Sequence, residues 1–229
     1  LGFGTRCLHV GQGPDPTTEA AAPPIYQTSS YEFPDADTAA ARYALEDEGN
    51  VYSRIANPTV RALEKRLASL EGGVDALATA AGMGALDAAT SVLAGAGDNI
   101  VCAASVYGGT HGYLSHTCRR RGIETRFVGT LDPEAYAEAI DENTAYVHCE
   151  TIANPALVTP PPEEIASVAR AADVPLFVDN TFGTPALCRP LEHGADLVWN
   201  STTKWIHGSR PPLAGILVTG GSFPFADHP

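Results

Sequence analysis

Lysine is nearly missing from this chain. Of its 14 basic residues 12 are arginine, and only Lys65 and Lys204 carry a side-chain amine. Positive charge as a whole is short: against 27 acids the formal net charge is −13, so little is available to neutralise a polyanion and a nucleic-acid role is set aside. Cysteine is sparse and scattered. Residues 7, 102, 118, 149 and 188 include no C-x-x-C pair, and an odd number cannot all pair within the chain, which points to a reducing compartment, the cytoplasm. No stretch approaches the roughly eighteen consecutive apolar residues of a membrane span. The opening Leu1-Gly-Phe-Gly-Thr-Arg6 lacks a charged start followed by an apolar run, so neither a membrane nor a secretory route is expected. What remains is the composition of a globular domain: 229 residues, 44% apolar and 18% charged, enough for one well-buried core. The chain begins without Met and stops at Phe223-Pro-Phe-Ala-Asp-His-Pro229, no obvious domain ending, which reads as a fragment.

From about residue 74, short apolar runs recur at 75–79, 99–103, 124–128, 145–149, 175–179, 196–200 and 215–219. Their length and their Gly, Asp and Pro boundaries predict buried strands. Helical stretches at 83–94, 109–120, 132–140 and 161–172 lie between them, the third opened by Asp132-Pro133 as cap and first turn. Strand then helix, repeated, predicts an α/β sandwich of three layers around a mostly parallel seven-stranded sheet. Before it, residues 58–70 put Val60, Leu63, Leu67 and Leu70 on one helical face, with Lys65 on the solvated face among Arg61, Glu64 and Arg66. Residues 1–57 show no sustained period apart from a helix-like stretch at 36–46, and read as an arm that wraps a partner subunit.

Layered sheets of this kind place ligands beyond the carboxyl ends of their strands, so the residues after each apolar run carry the chemistry. Lys204 follows one such run in Asp196-Leu-Val-Trp-Asn-Ser-Thr-Thr-Lys-Trp-Ile-His207. A lysine held among apolar groups loses solvation of its ammonium and becomes an amine nucleophile able to form a Schiff base; a lone strand-end lysine is more often a snorkelling or ion-paired one. Asp179 ends the run 175–179. An acid there suits a metal, a helix cap or a protonated ring nitrogen, and the absence of a second carboxylate or His at ligand spacing weakens the metal reading. Beside a pyridoxal phosphate ring, such a carboxylate keeps the ring nitrogen protonated. Ser201 and Thr203 then stand where hydroxyls meet a phosphate. Ala80-Ala-Gly-Met-Gly-Ala-Leu86 offers free N–H groups at a helix start, although a glycine turn in that place often serves packing alone. Tyr107, after another run, has a ring able to stack on a flat cofactor or to fill the core.

The segments Tyr52-Ser-Arg-Ile-Ala-Asn-Pro-Thr59, Leu70-Glu-Gly-Gly73, Ala81-Gly-Met-Gly84, Tyr107-Gly-Gly-Thr110, Glu150-Thr-Ile-Ala-Asn-Pro155, Val178-Asp-Asn-Thr-Phe182 and Ser201-Thr-Thr-Lys204 cover nearly the whole chain. In order and wording they resemble the pyridoxal phosphate (PLP) dependent enzymes of cysteine and methionine metabolism, of fold type I. His9-Val-Gly-Gln-Gly-Pro-Asp-Pro16, Pro24-Ile-Tyr-Gln-Thr-Ser-Ser-Tyr31 and Gly220-Gly-Ser-Phe223 look most like the O-acetylhomoserine sulfhydrylases within it. The resemblance implies that 58–229 is a PLP-binding domain in which Lys204 holds the cofactor as a Schiff base and then shuttles protons. It implies Asp179 at the ring nitrogen, Tyr107 stacked over the ring near the leaving group, Asn154 near the ring or the substrate carboxylate, and Thr181 among the cofactor-binding residues. Gly82, Met83, Ser201 and Thr203 would bind the phosphate, and Tyr52 and Arg54 would reach the phosphate of a neighbouring subunit in a homodimer that pairs into a homotetramer. Taken alone, a loop arginine such as Arg54 is usually solvated. The implied reaction is γ-replacement on O-acetyl-L-homoserine with sulfide or a thiol. The same scaffold also serves γ-elimination and cystathionine synthesis, and a truncated domain that binds PLP or dimerises without catalysis is a reading of another class.

Two departures stand out. The loop after Lys204 reads His207-Gly-Ser-Arg-Pro-Pro-Leu213, and its paired prolines stiffen a segment that the family keeps rich in glycine and histidine. The family's C-terminal domain, with the arginine that clamps the substrate carboxylate, lies beyond this chain, and no motif makes Arg210, the only late arginine, its substitute.

Overall fold

All seven apolar runs become strands of one sheet in the computed structural model, which describes residues 1–209 and 211–227. Arg210 therefore lies outside the described residues, as do His228 and Pro229. In chain order the elements are α1 (Phe3–His9), α2 (Ala36–Tyr43), α3 (Pro58–Glu71), β1 (Asp75–Thr79), α4 (Gly82–Leu93), β2 (Asn99–Ala103), α5 (Gly108–Gly112), a π-helical stretch (Tyr113–Cys118), β3 (Glu124–Val128), α6 (Pro133–Ala139), β4 (Thr144–Glu150), α7 (Pro162–Ala171), β5 (Leu176–Asp179), α8 (Thr184–Leu187), β6 (Leu197–Asn200) and β7 (Gly215–Thr219).

The chain divides into two compact units, Leu1–Arg66 and Leu67–Pro229. In the first, the buried Asp15 gathers Thr17, Thr18 and the Tyr26 hydroxyl around its carboxylate. Asn57 caps α3 by accepting the N–H of Thr59, while its amide donates to the Tyr26 carbonyl and Ser53 Oγ. Pro58 sits where its missing N–H costs nothing. The structure adds α1, whose seven residues are too few to show a period in the sequence.

In the second unit the strand order is β1-β7-β6-β5-β4-β2-β3. Strands β6, β5, β4, β2 and β3 run parallel, and β7 runs antiparallel to both its neighbours, β1 and β6. Every residue of β2, β5 and β6 is buried, because helices cover both faces, which is why these strands read as continuous apolar runs. From β4 the chain moves to β5 and β6 on one side, while β2 and β3 lie on the other. The order reverses between β2 and β4, and that reversal opens a crevice at the carboxyl ends.

Two helix expectations are corrected. The stretch expected at 109–120 is α5 followed by a π-helical stretch in which Leu114 and Cys118 are buried. On α3 the expected apolar face is only half right: Leu67 and Leu70 are buried, but Val60 and Leu63 are each 40% exposed, while Glu64 and Glu71 are buried. Hydropathy alone misplaces the face because these acids take hydrogen bonds and ion pairs that let them go inside. Lys65 is exposed, as expected.

Among the described residues no helix is long and apolar enough to cross a membrane. All five cysteines are free.

Leu86 and Val92 share α4 but are 0% and 83% exposed. Leu86→Ala should lower stability by about 2–5 kcal/mol, because the packed core cannot close the cavity, and Val92→Ala should stay within about 0.5 kcal/mol. Denaturant midpoints of the two variants against the parent measure the contrast.

Candidate active site

The carboxyl ends of β2, β4, β5 and β6 and the start of α4 enclose a cavity of about 610 Å³. It collects most of the residues singled out from sequence: Gly82, Met83, Tyr107, Asn154, Asp179, Thr181, Ser201, Thr203 and Lys204 all line it. Tyr52 and Arg54 are exposed residues of the first unit, where Tyr52 forms an isolated bridge with Ser30.

Asp179 ends β5 and is 5% exposed. One of its oxygens accepts the N–H of Thr181 at 2.8 Å, while the Thr181 hydroxyl oxygen accepts the N–H of Ser201, also at 2.8 Å. A single threonine thus ties the end of β5 to the turn after β6. Burial, reinforced by the charge of Glu150 on the adjoining strand, pushes the Asp179 carboxyl up to about 8. Glu150 is the residue that sequence reasoning misses. It faces Asp179 across the β4–β5 register and is itself 3% exposed, and burial raises its carboxyl as well. One oxygen accepts the backbone N–H of Tyr107 and the other that of Asn154, at 3.0 Å for the latter. Since Tyr107 follows β2 and Asn154 follows β4, this one carboxylate bridges the point where the strand order reverses. A signal for it exists: an acid closes the run 145–149, as Asp179 closes 175–179.

Gly82 opens α4 with its backbone against Ser201. A Cβ there would come within 2.6 Å of Ser201 Cβ, so no other residue fits. Ala81 provides no side-chain cap, which leaves the first N–H groups of a 12-residue helix directed at the cavity beside the Ser201 hydroxyl, an arrangement suited to an anion. The Thr203 hydroxyl is held between the carbonyl and the N–H of Ala214. Tyr107 is 46% exposed, so its ring stands at the cavity rather than in the core.

Lys204 corrects an expectation. Its side chain is exposed, with Trp205 64% exposed beside it, so the desolvation expected from neighbouring apolar residues is not provided by this chain's described residues. The turn after β6 carries Lys204 and Trp205 outward at the mouth of the cavity, and the apolar wall is formed by Trp199, Phe182 and Leu213 instead. Among the described residues no group of three or more His, Cys, Asp and Glu is placed to hold a metal ion.

A family model described as Cys/Met metabolism PLP-dependent enzyme matches residues 4–228. The chain is 49% identical to the homocysteine synthase of Schizosaccharomyces pombe, over 96% of this chain and 52% of that protein. It is likewise 49% identical to O-acetyl-L-homoserine sulfhydrylase 1 of Thermus thermophilus, over 97% of this chain and 53% of that protein. Its fold superimposes with a TM-score of 0.94 on a Campylobacter jejuni crystal structure described as a candidate O-acetylhomoserine (thiol)-lyase with a pyridoxyl-lysine monophosphate. The two are 36% identical, over 97% of this chain and 55% of that one. The chain spans about half the length of the curated relatives it matches.

Asp179 and Glu71 hold their protons more tightly when folded: about 8 against 3.8, and about 7 against 4.5. The folded chain therefore binds more protons than the unfolded one through this range, and stability falls as pH rises through it. Burial of His148 acts oppositely, lowering it from 6.5 to about 4, but its contribution changes only below pH 6.5. The ligand-free protein should melt a few degrees lower at pH 8 than at pH 6.5. Asp179→Asn should flatten that slope in calorimetric scans, and an unchanged slope would count against a protonated Asp179.

Proposed function

The chain belongs to the Cys/Met metabolism PLP-dependent enzyme family, and from that premise we propose that its cavity holds PLP and serves γ-replacement on O-acetyl-L-homoserine, with sulfide or a thiol entering as acetate leaves. The names of its relatives support the substrate. The observation that carries the reading is Asp179: a buried acid that accepts the Thr181 N–H and has a second carboxylate beside it is in an environment that a cationic ring nitrogen would relieve. The residues fit the other end of the cofactor as well, since the uncapped start of α4 and the Ser201 hydroxyl offer donors to a phosphate.

When bound, the cofactor supplies an electron sink for charge that develops on the substrate carbons. This chain's residues do the rest. Asp179 holds the proton on the ring nitrogen, and the negative charge of Glu150 favours the same protonated state. Lys204 would hold the cofactor through Nζ, and the same amine would move protons between substrate carbons. Tyr107 and Asn154, fixed through their backbone N–H groups by Glu150, would flank the ring of a bound cofactor. Gly82, Met83, Ser201 and Thr203 take the phosphate within the subunit, and Thr181 keeps Asp179 and Ser201 in step.

Residues 1–57 act as an arm whose Tyr52 and Arg54 serve the neighbouring subunit, in a homodimer that pairs into a homotetramer. Their exposure in the first unit supports this assignment. The five free thiols support a cytoplasmic setting.

Lys204→Ala tests the reading. The variant should lose both the visible absorption of the PLP–lysine linkage and the formation of homocysteine from O-acetylhomoserine and sulfide. Retention of both would sink it.

A further inference from the structure

Leu70-Glu-Gly-Gly73 is a motif that the pocket does not use. Glu71 lies at the end of α3 with no exposed surface. Its carboxylate accepts three hydrogen bonds: both oxygens from Asn180 Nδ2, at 3.0 and 3.1 Å, and Oε1 also from Asn200 Nδ2, at 2.7 Å. The two glycines make that position possible. Gly72 leaves the helix at φ +83°, and a Cβ on Gly73 would lie 2.4 Å from Val218 Cγ1, so the backbone can pass against β7 only without a side chain.

The partners are the informative part. Asn180 follows Asp179 and Asn200 precedes Ser201, the acid and the hydroxyl placed at opposite ends of the cofactor site. Asn180 Oδ1 in turn accepts the hydroxyl of Thr151, at 3.0 Å, and Thr151 follows Glu150. One buried carboxylate thus gathers the carboxyl ends of β4, β5 and β6, each at the residue next to one that lines the cavity. None of Glu71, Asn180 and Asn200 lines it. Packing alone would be met by an apolar side chain, whereas burial of this acid is unfavourable enough to push its carboxyl up to about 7.

We propose that Glu71 is a positioning residue for the cofactor site: through Asn180 and Asn200 it sets the spacing of Asp179 and Ser201, and so the simultaneous fit of ring nitrogen and phosphate. The proposal rests on the reading that the cavity holds PLP.

Trp199 and Trp205 both line the cavity, so quenching of tryptophan fluorescence reports PLP binding to the 229-residue chain without any turnover. Glu71→Ala should weaken PLP affinity about tenfold or more, as loss of hydrogen bonds to a buried charged group does. Glu71→Gln keeps the shape and one acceptor, and its amide can pair with Asn200 Oδ1, which is buried and without a partner among the described residues. It should recover most of the affinity. Leu114→Ala, a buried site outside the network, is the control: it should lower the melting temperature of the ligand-free chain and leave PLP affinity unchanged. Equal affinities for Glu71→Ala and Leu114→Ala would overturn the proposal and leave Glu71 a structural residue only. If Glu71→Ala does not fold, Asn200→Ala, which removes a single bond, should weaken PLP binding in the same direction, and parent-like affinity there overturns the proposal too. A parent chain that binds no PLP sinks both the reading and the proposal, an outcome visible before any variant is compared.

Discussion

Carboxylates kept from water at one end of the sheet govern the second unit. Glu71, Glu150 and Asp179 are each buried, and each raised carboxyl marks a place where the fold gives up stability. A core selected for stability alone would not contain them. What they hold is informative: Glu150 takes two backbone N–H groups, Glu71 two side-chain amides, and Asp179 one N–H and part of the cavity wall. Two acids spend their hydrogen-bonding capacity on architecture, and the third is left mostly uncommitted. Of the three, Asp179 is the one whose burial is least offset by hydrogen bonds from the rest of the fold.

The sheet is legible in the sequence because parallel strands covered on both faces need apolar residues at every position, and few structures other than a buried strand produce such short runs between Gly, Pro and Asp. All seven runs match their strands to within a residue or so at each end. Polar residues immediately past those runs point to the site, so Asp179, Ser201, Thr203 and Lys204 emerge as a group. Long-range hydrogen bonding is not legible. Glu150 and Glu71 lie inside motifs, yet each takes a hydrogen bond from a residue far along the chain, 43 and 109 positions away, and nothing local announces those two partners. The same blindness misplaces the buried face of α3, where hydropathy assigns a glutamate to solvent. For Lys204 the obstacle is different. Neighbouring residues such as Trp205 and Ile206 say nothing about whether a turn points inward or outward.

The likeness to longer relatives and the local chemistry carry different weight. Family membership covers residues 4–228 and needs no geometry. The geometry adds roles for residues that the motifs contain without explaining: Gly82 because a Cβ would strike Ser201, Gly73 because one would strike Val218, and Thr181 because it serves two strands at once. In each case the motif records a close contact between elements distant in sequence.

Among the described residues strand β1 has one partner in the sheet, and that partner is β7, the seventh strand in chain order. During synthesis the first strand of the sheet must therefore wait for more than half the chain before it can pair. Gly215 at the head of β7 passes against the Ala81 carbonyl, where a Cβ would come within 2.4 Å, so the cavity wall beside Gly82 is completed only when β7 lies between β1 and β6. Loops this long close slowly. The wall beside Gly82 is thus the last part of the sheet's carboxyl edge to have all its residues made, later than every strand from β2 to β6.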